Sequence, residues 1–146
     1  MKIVNAGYKD LKDIWLWKNN KKSLIFSKNS KKVSYHSHIK WFDRNISNPK
    51  VFMFVGFFLR KKVGIVRFNI NRRNTLVSIN LNPKMRGKNL SSKLLVLSIK
   101  KFLKKKKSIS LLAKIHEDNI ASIKCFIKSG FLFYKFEKTF QIYKLN

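Results

Sequence analysis

Between Val77 and Ser92 the chain changes its period. Val77 to Leu81 alternates as a strand does, and Pro83 stops it. Met85 to Asn89 makes a short basic turn around Gly87, and from Leu90 the residues Leu94, Leu95, Leu97 and Phe102 recur at helical spacing. A strand that runs through such a turn into a helix N-terminus brings unpaired backbone N–H groups together, which is how proteins hold a phosphate or a pyrophosphate. Upstream, Val51–Leu59, Lys62–Ile70 and Thr75–Leu81 are three β-rich runs. They are joined by the turns Arg60–Lys62 and Asn71–Asn74, and such short links predict an antiparallel meander.

The flanking segments complete the order of elements. Residues 2–7 read as a first strand, and Asp10 to Lys18 as a helix carrying Leu11, Ile14, Trp15 and Trp17. Residues 19–33, rich in Asn, Lys and Ser, read as a loop with one helical turn. Ser34 caps a second helix whose face is His38, Trp41, Phe42 and Ile46, and Asn48–Pro49 ends it. After the central helix, the run Lys104 to Lys107 is a solvated end where cations suit the helix dipole. Ser108–Ile115 reads as a strand. Asp118 or Asn119 then caps a helix with Ile120, Ile123, Phe126 and Ile127 facing inward, and Gly130 closes it in a left-handed conformation. Phe131–Phe136 and Thr139–Leu145 are the last two strands. The expected class is α+β, a mixed and mostly antiparallel sheet of about seven strands flanked by about four helices.

The 146 residues fit a single domain spanning 1–146, and a hydrophobic content of 45% supplies its core. The formal net charge is +28. Lysine is spread over nearly every segment beside abundant Asn, Ile and Phe, a mix that AT-rich codons also produce. The lysines form no aromatic-studded strip, so no specific nucleic acid partner is expected, and the charge is read as drawing in small anions. One cysteine, Cys125, excludes an intramolecular disulfide and is too little for a zinc site, so no metal is expected. The N-terminus lacks an apolar stretch of signal-peptide length, and the longest apolar run, Val51 to Leu59, is far short of the ~20 residues a membrane span needs. A cytoplasmic location is expected. Assembly as a homodimer stays open.

The six residues Arg86, Gly87, Lys88, Asn89, Leu90 and Ser91 resemble the phosphate turn of the GNAT acetyltransferase superfamily, Arg/Gln-x-x-Gly-x-Gly/Ala at the start of the central helix. Asn89 and Ser91 stand where the pattern has its glycines. Asn is the non-glycine residue most at ease with unusual dihedrals, and Ser is small. Leu81 to Pro83 resembles the family's strand end, and Asn119 to Phe131 its later segment, where an Asn opens a helix that ends in Gly-Phe. The resemblance covers residues 50–135 well. The N-terminal half is similar to acetyltransferases of nucleotide-activated amino sugars, the pseudaminic acid and bacillosamine type, through Trp17-Lys18-Asn19, through His38, Trp41 and Phe42, and through Arg67.

The resemblance implies acetyl-CoA as co-substrate. Leu81, Met85, Arg86, Gly87, Lys88, Asn89, Leu90, Ser91, Asn119, Ser122 and Phe126 would bind it, with Arg86 and Lys88 adding charge-assisted bonds. It further implies direct attack of a neutral amine on the thioester while both ligands are bound, with a strand amide near Leu81 polarising the carbonyl. The acceptor would be a small amine, an anionic nucleotide sugar, contacted by Trp17, Lys18, His38, Trp41 and Arg67. A peptide or protein amine is the alternative acceptor, and a non-catalytic nucleic-acid-binding domain the alternative class. Many relatives place a tyrosine on the last helix to protonate the leaving thiolate, and the matching residue here is Phe126; Tyr134 could serve from elsewhere. The catalytic base is not legible. His38 is a candidate base or sugar ligand, with a structural histidine on an amphipathic helix as the favoured alternative. Trp15, Trp17 and Trp41 could stack on a sugar or base, or belong to the core.

Overall fold

The computed structural model describes residues 1–146 except 28, 29 and 108. Seven strands form one sheet in the order β1-β2-β3-β4-β5-β7-β6. These are β1 (Lys2–Asn5), β2 (Val51–Phe58), β3 (Lys61–Asn71), β4 (Asn74–Leu81), β5 (Ser110–His116), β6 (Leu132–Glu137) and β7 (Phe140–Leu145). All neighbours are antiparallel except β4 and β5. The helices are α1 (Leu11–Lys18), α2 (Lys21–Ile25), α3 (Tyr35–Ile46), α4 (Ser91–Lys105) and α5 (Ile120–Lys128). The α+β reading holds. The helix beyond the expected four is α2, whose five residues are too few for a period to show. The expected start of the β5 strand at Ser108 lies outside the described residues, as does part of the 19–33 loop.

Two cores hold the sheet. Leu11, Ile14 and Trp17 of α1 and Phe42 of α3 pack with Met53, Val55 and Ile65. The larger core joins Leu94, Leu95, Ile99 and Phe102 of α4 with Phe54, Val66, Phe68 and Val77, and with Cys125, Phe126 and Phe131. Phe102 stacks flat on Phe68, ring centroids 4.4 Å apart and planes 5° from parallel. That contact fixes the depth and rotation of α4, and so the position of its N-terminus. On α5 the expected inward face is half right. Phe126 and Cys125 are buried and Ile123 packs at the margin, but Ile120 and Ile127 are exposed. A helix this apolar on all sides can turn only one stripe to a core.

The N-terminal acids do more than sit in a first helical turn. Asp10 is fully buried and accepts the N–H of Gly7 at 3.0 Å. Lys62 of β3 reaches Asp10 and Asp13 at 2.8 Å each, tying α1 to the sheet. Burial alone would lower the Lys62 pKa, but the hydrogen bonds and charge of the two carboxylates outweigh it and raise it.

The β2–β3 turn is tighter than the three-residue link expected. Leu59 and Arg60 alone make it, with φ of 50° and 64°. Two consecutive left-handed residues suit Asn-Gly and are strained for Leu-Arg. Replacing Leu59 by Asn together with Arg60 by Gly will therefore stabilise the fold by about 1 kcal/mol. An unchanged urea midpoint would show the turn to be relaxed.

Candidate active site

The parallel neighbours β4 and β5 part almost at once. β4 pairs with β3 along its whole length, yet with β5 only at Asn74 with Ser110, Thr75 with Leu111 and Leu76 with Leu112. Beyond Leu76 the two strands splay, and the edge of β4 that faces β5 has no ladder partner. A buried sheet interior ordinarily leaves no such edge.

The chain leaves β4 at Leu81 into a 3-10 turn, Pro83–Met85, capped by Asn82, whose Oδ1 accepts the Lys84 N–H. The basic turn follows. Gly87 has φ +72° and Asn89 φ +55°, so Asn89 adopts the left-handed conformation that a glycine takes in the family pattern. Buried Met85 and Leu90 pin the turn at both ends. Leu90 occupies the N-cap of α4 and supplies no side-chain cap, and among the described residues no hydrogen bond uses the N–H groups of residues 87–93. Two residues of positive φ, Gly87 and Asn89, just ahead of an uncapped helix start favour a concave nest of amides suited to a diphosphate. Lys88 is exposed beside it.

Arg86 is engaged elsewhere. Its guanidinium donates to Asn20 Oδ1 at 2.9 Å and to Ser23 Oγ at 2.7 Å. Burial shifts its pKa downward. Asn20, Ser23 and Asn80, which this network joins, escaped the sequence reading, because only Asn20 carries a local signal, that of an N-cap.

The later segment has the expected form. Asn119, not Asp118, caps α5, accepting the Ser122 N–H at 3.3 Å. Gly130 closes the helix at φ +97°, and the Phe131 N–H returns to the Phe126 carbonyl at 3.1 Å. Phe126 lies edge-on against Phe131, centroids 4.9 Å apart, inside the core. It offers no proton. Cys125 beside it is buried. Burial pushes the thiol pKa up, against the weaker pull of the Ser91 and Ser129 hydroxyls. Neither Cys125 nor Phe126 is equipped for proton transfer or nucleophilic attack.

The residues proposed to meet the acceptor divide. Trp17 belongs to the core. Asn19 closes the base of the following loop, exchanging two 2.8 Å bonds with the backbone of Val33. Lys18, Trp41 and Arg67 come together: Lys18 Nζ lies 5.0 Å and the Arg67 guanidinium 5.3 Å from the Trp41 ring centre. No carboxylate among the described residues pairs with either cation. Burial, then the charge of Arg67, lowers the Lys18 pKa. Arg67 is the register partner of Ser78, which lies beyond the last β4–β5 pair, so the cations flank the splayed part of the sheet.

His38 is not placed to act as a base. It is fully buried and stacked on Trp41, and its Nε2 donates to the Leu11 carbonyl at 2.8 Å while Nδ1 has no partner. Burial, reinforced by Lys18, lowers its pKa below the ordinary 6.5 and outweighs the Leu11 bond. Below that pH the unfolded chain takes up a proton that folded His38 refuses, so acid favours unfolding. The melting temperature will fall as pH drops from about 6.5 toward 5, and His38→Asn will flatten that slope. An equal slope in the variant would assign the effect to other groups.

A mixed sheet splayed beside an uncapped helix, with an amide nest at the helix start, defines an acyl-CoA-binding transferase. The sequence profile of the acetyltransferase (GNAT) family matches residues 11–131, and the chain belongs to that family. It is an acyl-CoA-dependent N-acetyltransferase. Solved structures agree in fold. A domain from Methanocaldococcus jannaschii superposes with a TM-score of 0.84 at 25% identity, covering 99% of this chain and 97% of that one. Spermidine N-acetyltransferase from Vibrio cholerae, in complex with CoA and spermine, gives 0.81 at 14% identity over 98% and 92%. Campylobacter jejuni N-acetyltransferase PseH in complex with acetyl coenzyme A gives 0.75 at 18% over 99% and 96%. No curated protein sequence matches. No helix among the described residues is long and apolar enough to cross a membrane.

Proposed function

We propose that the protein acetylates the amine of a small anionic acceptor, a nucleotide-activated amino sugar, with acetyl-CoA as donor. The observation that carries this reading is the Lys18–Trp41–Arg67 cluster. Two half-buried cations held near one another without a carboxylate repel each other, and an anion between them offsets that repulsion. A ring beside them suits a sugar or a base. A polyamine finds the opposite environment. Asp10 and Asp13 are taken by Lys62, Asp43 accepts the Tyr8 hydroxyl at 2.7 Å, and Glu137 pairs with Lys114, which leaves Glu117 and Asp118, exposed just after β5, as the carboxylates open to a cation. A net charge of +28 repels a polycation at long range as well. A cytoplasmic setting belongs to the same reading.

In this reading the amides of residues 87–93 hold the pyrophosphate, with Lys88 adding charge. The free edge of β4 near Leu81 receives the pantetheine arm and polarises the thioester carbonyl. The neutral amine attacks the carbonyl carbon, the C–S bond breaks, and CoA leaves as thiolate. A thiol of pKa near ~8.5 leaves without a protonating phenol, which suits the Phe126 position. The amine proton passes to solvent.

With a UDP-linked amino sugar, Arg67→Ala will raise the acceptor KM about tenfold, a loss of about 1.4 kcal/mol, while acetyl-CoA affinity holds. Preference of the wild type for spermidine over the UDP-linked sugar, or an unchanged KM in Arg67→Ala, would defeat the proposal.

A further inference from the structure

The short helix α2 lies over the β4–β5 splay, and Arg86 fastens it there. Ser23, in the middle of α2, donates to Asn80 Oδ1 of β4 at 3.2 Å. Phe26, at its end, meets the His116 ring at the tip of β5, centroids 5.7 Å apart. The helix therefore bridges the two strands across their splay. Little else holds it. A helix of five residues has almost no stability of its own. Leu24 is its one buried side chain, while Lys21, Lys22 and Ile25 face solvent. Its base is closed by the Asn19–Val33 exchange. Among the described residues, the further side-chain tie is the Arg86 fork to Asn20 Oδ1 and Ser23 Oγ. Asn20 Oδ1 also accepts the Lys22 N–H, so the fork reinforces the N-cap of α2.

We propose that Arg86 is a positioning residue that latches α2 over the β4–β5 splay, coupling the acetyl-CoA turn to the acceptor side, and that it does not act as a phosphate ligand. Arg86 opens the turn whose next residues form the amide nest, so a change in that turn on acetyl-CoA binding moves the root of the latch. Both acceptors of the fork are neutral, which leaves the latch weaker than an ion pair and able to open. The fork needs two N–H groups in a plane, which a lysine cannot supply. The inference rests on acetyl-CoA binding at the amides of residues 87–93, as proposed above, and not on the identity of the acceptor.

The test needs no acceptor. Amide hydrogen exchange over residues 20–27 and acetyl-CoA affinity by calorimetry are measured for the wild type, Arg86→Lys, Ser23→Ala and Asn20→Asp. Arg86→Lys and Ser23→Ala will speed exchange in α2 about tenfold and leave the acetyl-CoA Kd within about threefold. Asn20→Asp keeps the cap and adds a charge for Arg86, so exchange there will slow. A tenfold loss of acetyl-CoA affinity in Arg86→Lys would make the residue a phosphate ligand and overturn the proposal. Unchanged exchange in Arg86→Lys overturns it too. With a UDP-linked amino sugar as a separate probe, Arg86→Lys will raise the acceptor KM more than it lowers kcat. Inertness of that sugar with the wild type, with the exchange results as expected, would count against the acceptor assignment alone.

Discussion

Replacing Gly87 and Asn89 together by valine will weaken acetyl-CoA binding about a hundredfold, with little loss of fold stability. Both positions have positive φ, and a β-branched residue there is strained by about 1–2 kcal/mol. The turn is exposed and a Cβ at Gly87 meets nothing within 4 Å, so crowding does not contribute. The strain is relieved by rotating both residues to negative φ, which turns the amides away from their common focus. Losing two hydrogen bonds to a charged phosphate, at about 1.5 kcal/mol each, removes about 3 kcal/mol, which is roughly a hundredfold in Kd. Calorimetry in moderate salt measures it. Asn89→Gly is the control, with binding kept and the turn relaxed. Full affinity in the double valine variant would place the pyrophosphate elsewhere.

Phe102→Ala will destabilise the protein by about 3–5 kcal/mol, against a total of about 5–15 for domains of this kind. Phe102 is fully buried, stacked on Phe68 and edge-on to Phe52 at 5.2 Å. Truncation leaves a cavity between α4 and the sheet that the flat Phe68 ring cannot fill by rotating. The same helix carries the amide nest at its far end, so acetyl-CoA affinity will fall as well. The shift in urea midpoint measures the first effect. A loss below 1 kcal/mol would mean that α4 settles onto the sheet without this ring.

What was legible in the chain follows the range of the interaction that decides each feature. Gly87, Asn89, Gly130 and the Asn119 cap depend on a residue's own dihedrals or on a partner three positions away, and each reads correctly. The strands of the meander, β-rich runs of seven to nine residues set between short turns, also read well. The Arg86 fork is not legible, because its partners Asn20 and Ser23 lie 66 and 63 positions away. His38 shares a helical stripe with Trp41 on α3, Trp17 shares one with Leu11 and Ile14 on α1, and period alone does not say which member reaches the surface. The structure buries His38 and Trp17 and leaves Trp41 between Lys18 and Arg67. In the same way α5 offered four apolar residues for an inward face that holds fewer.

Among the described residues three register pairs join β4 to β5, and that shortage has a consequence outside catalysis. The chain does not encode the group that would occupy the gap between these strands; it comes from metabolism. Whatever binds there only in the folded state adds RT ln(1 + [L]/Kd) to folding free energy, about 2.7 kcal/mol at a hundredfold excess over Kd. With acetyl-CoA as that ligand, as proposed, the lifetime of this protein in a cell is tied to the acetyl-CoA pool. A starved cell would hold a less durable enzyme as well as an idle one.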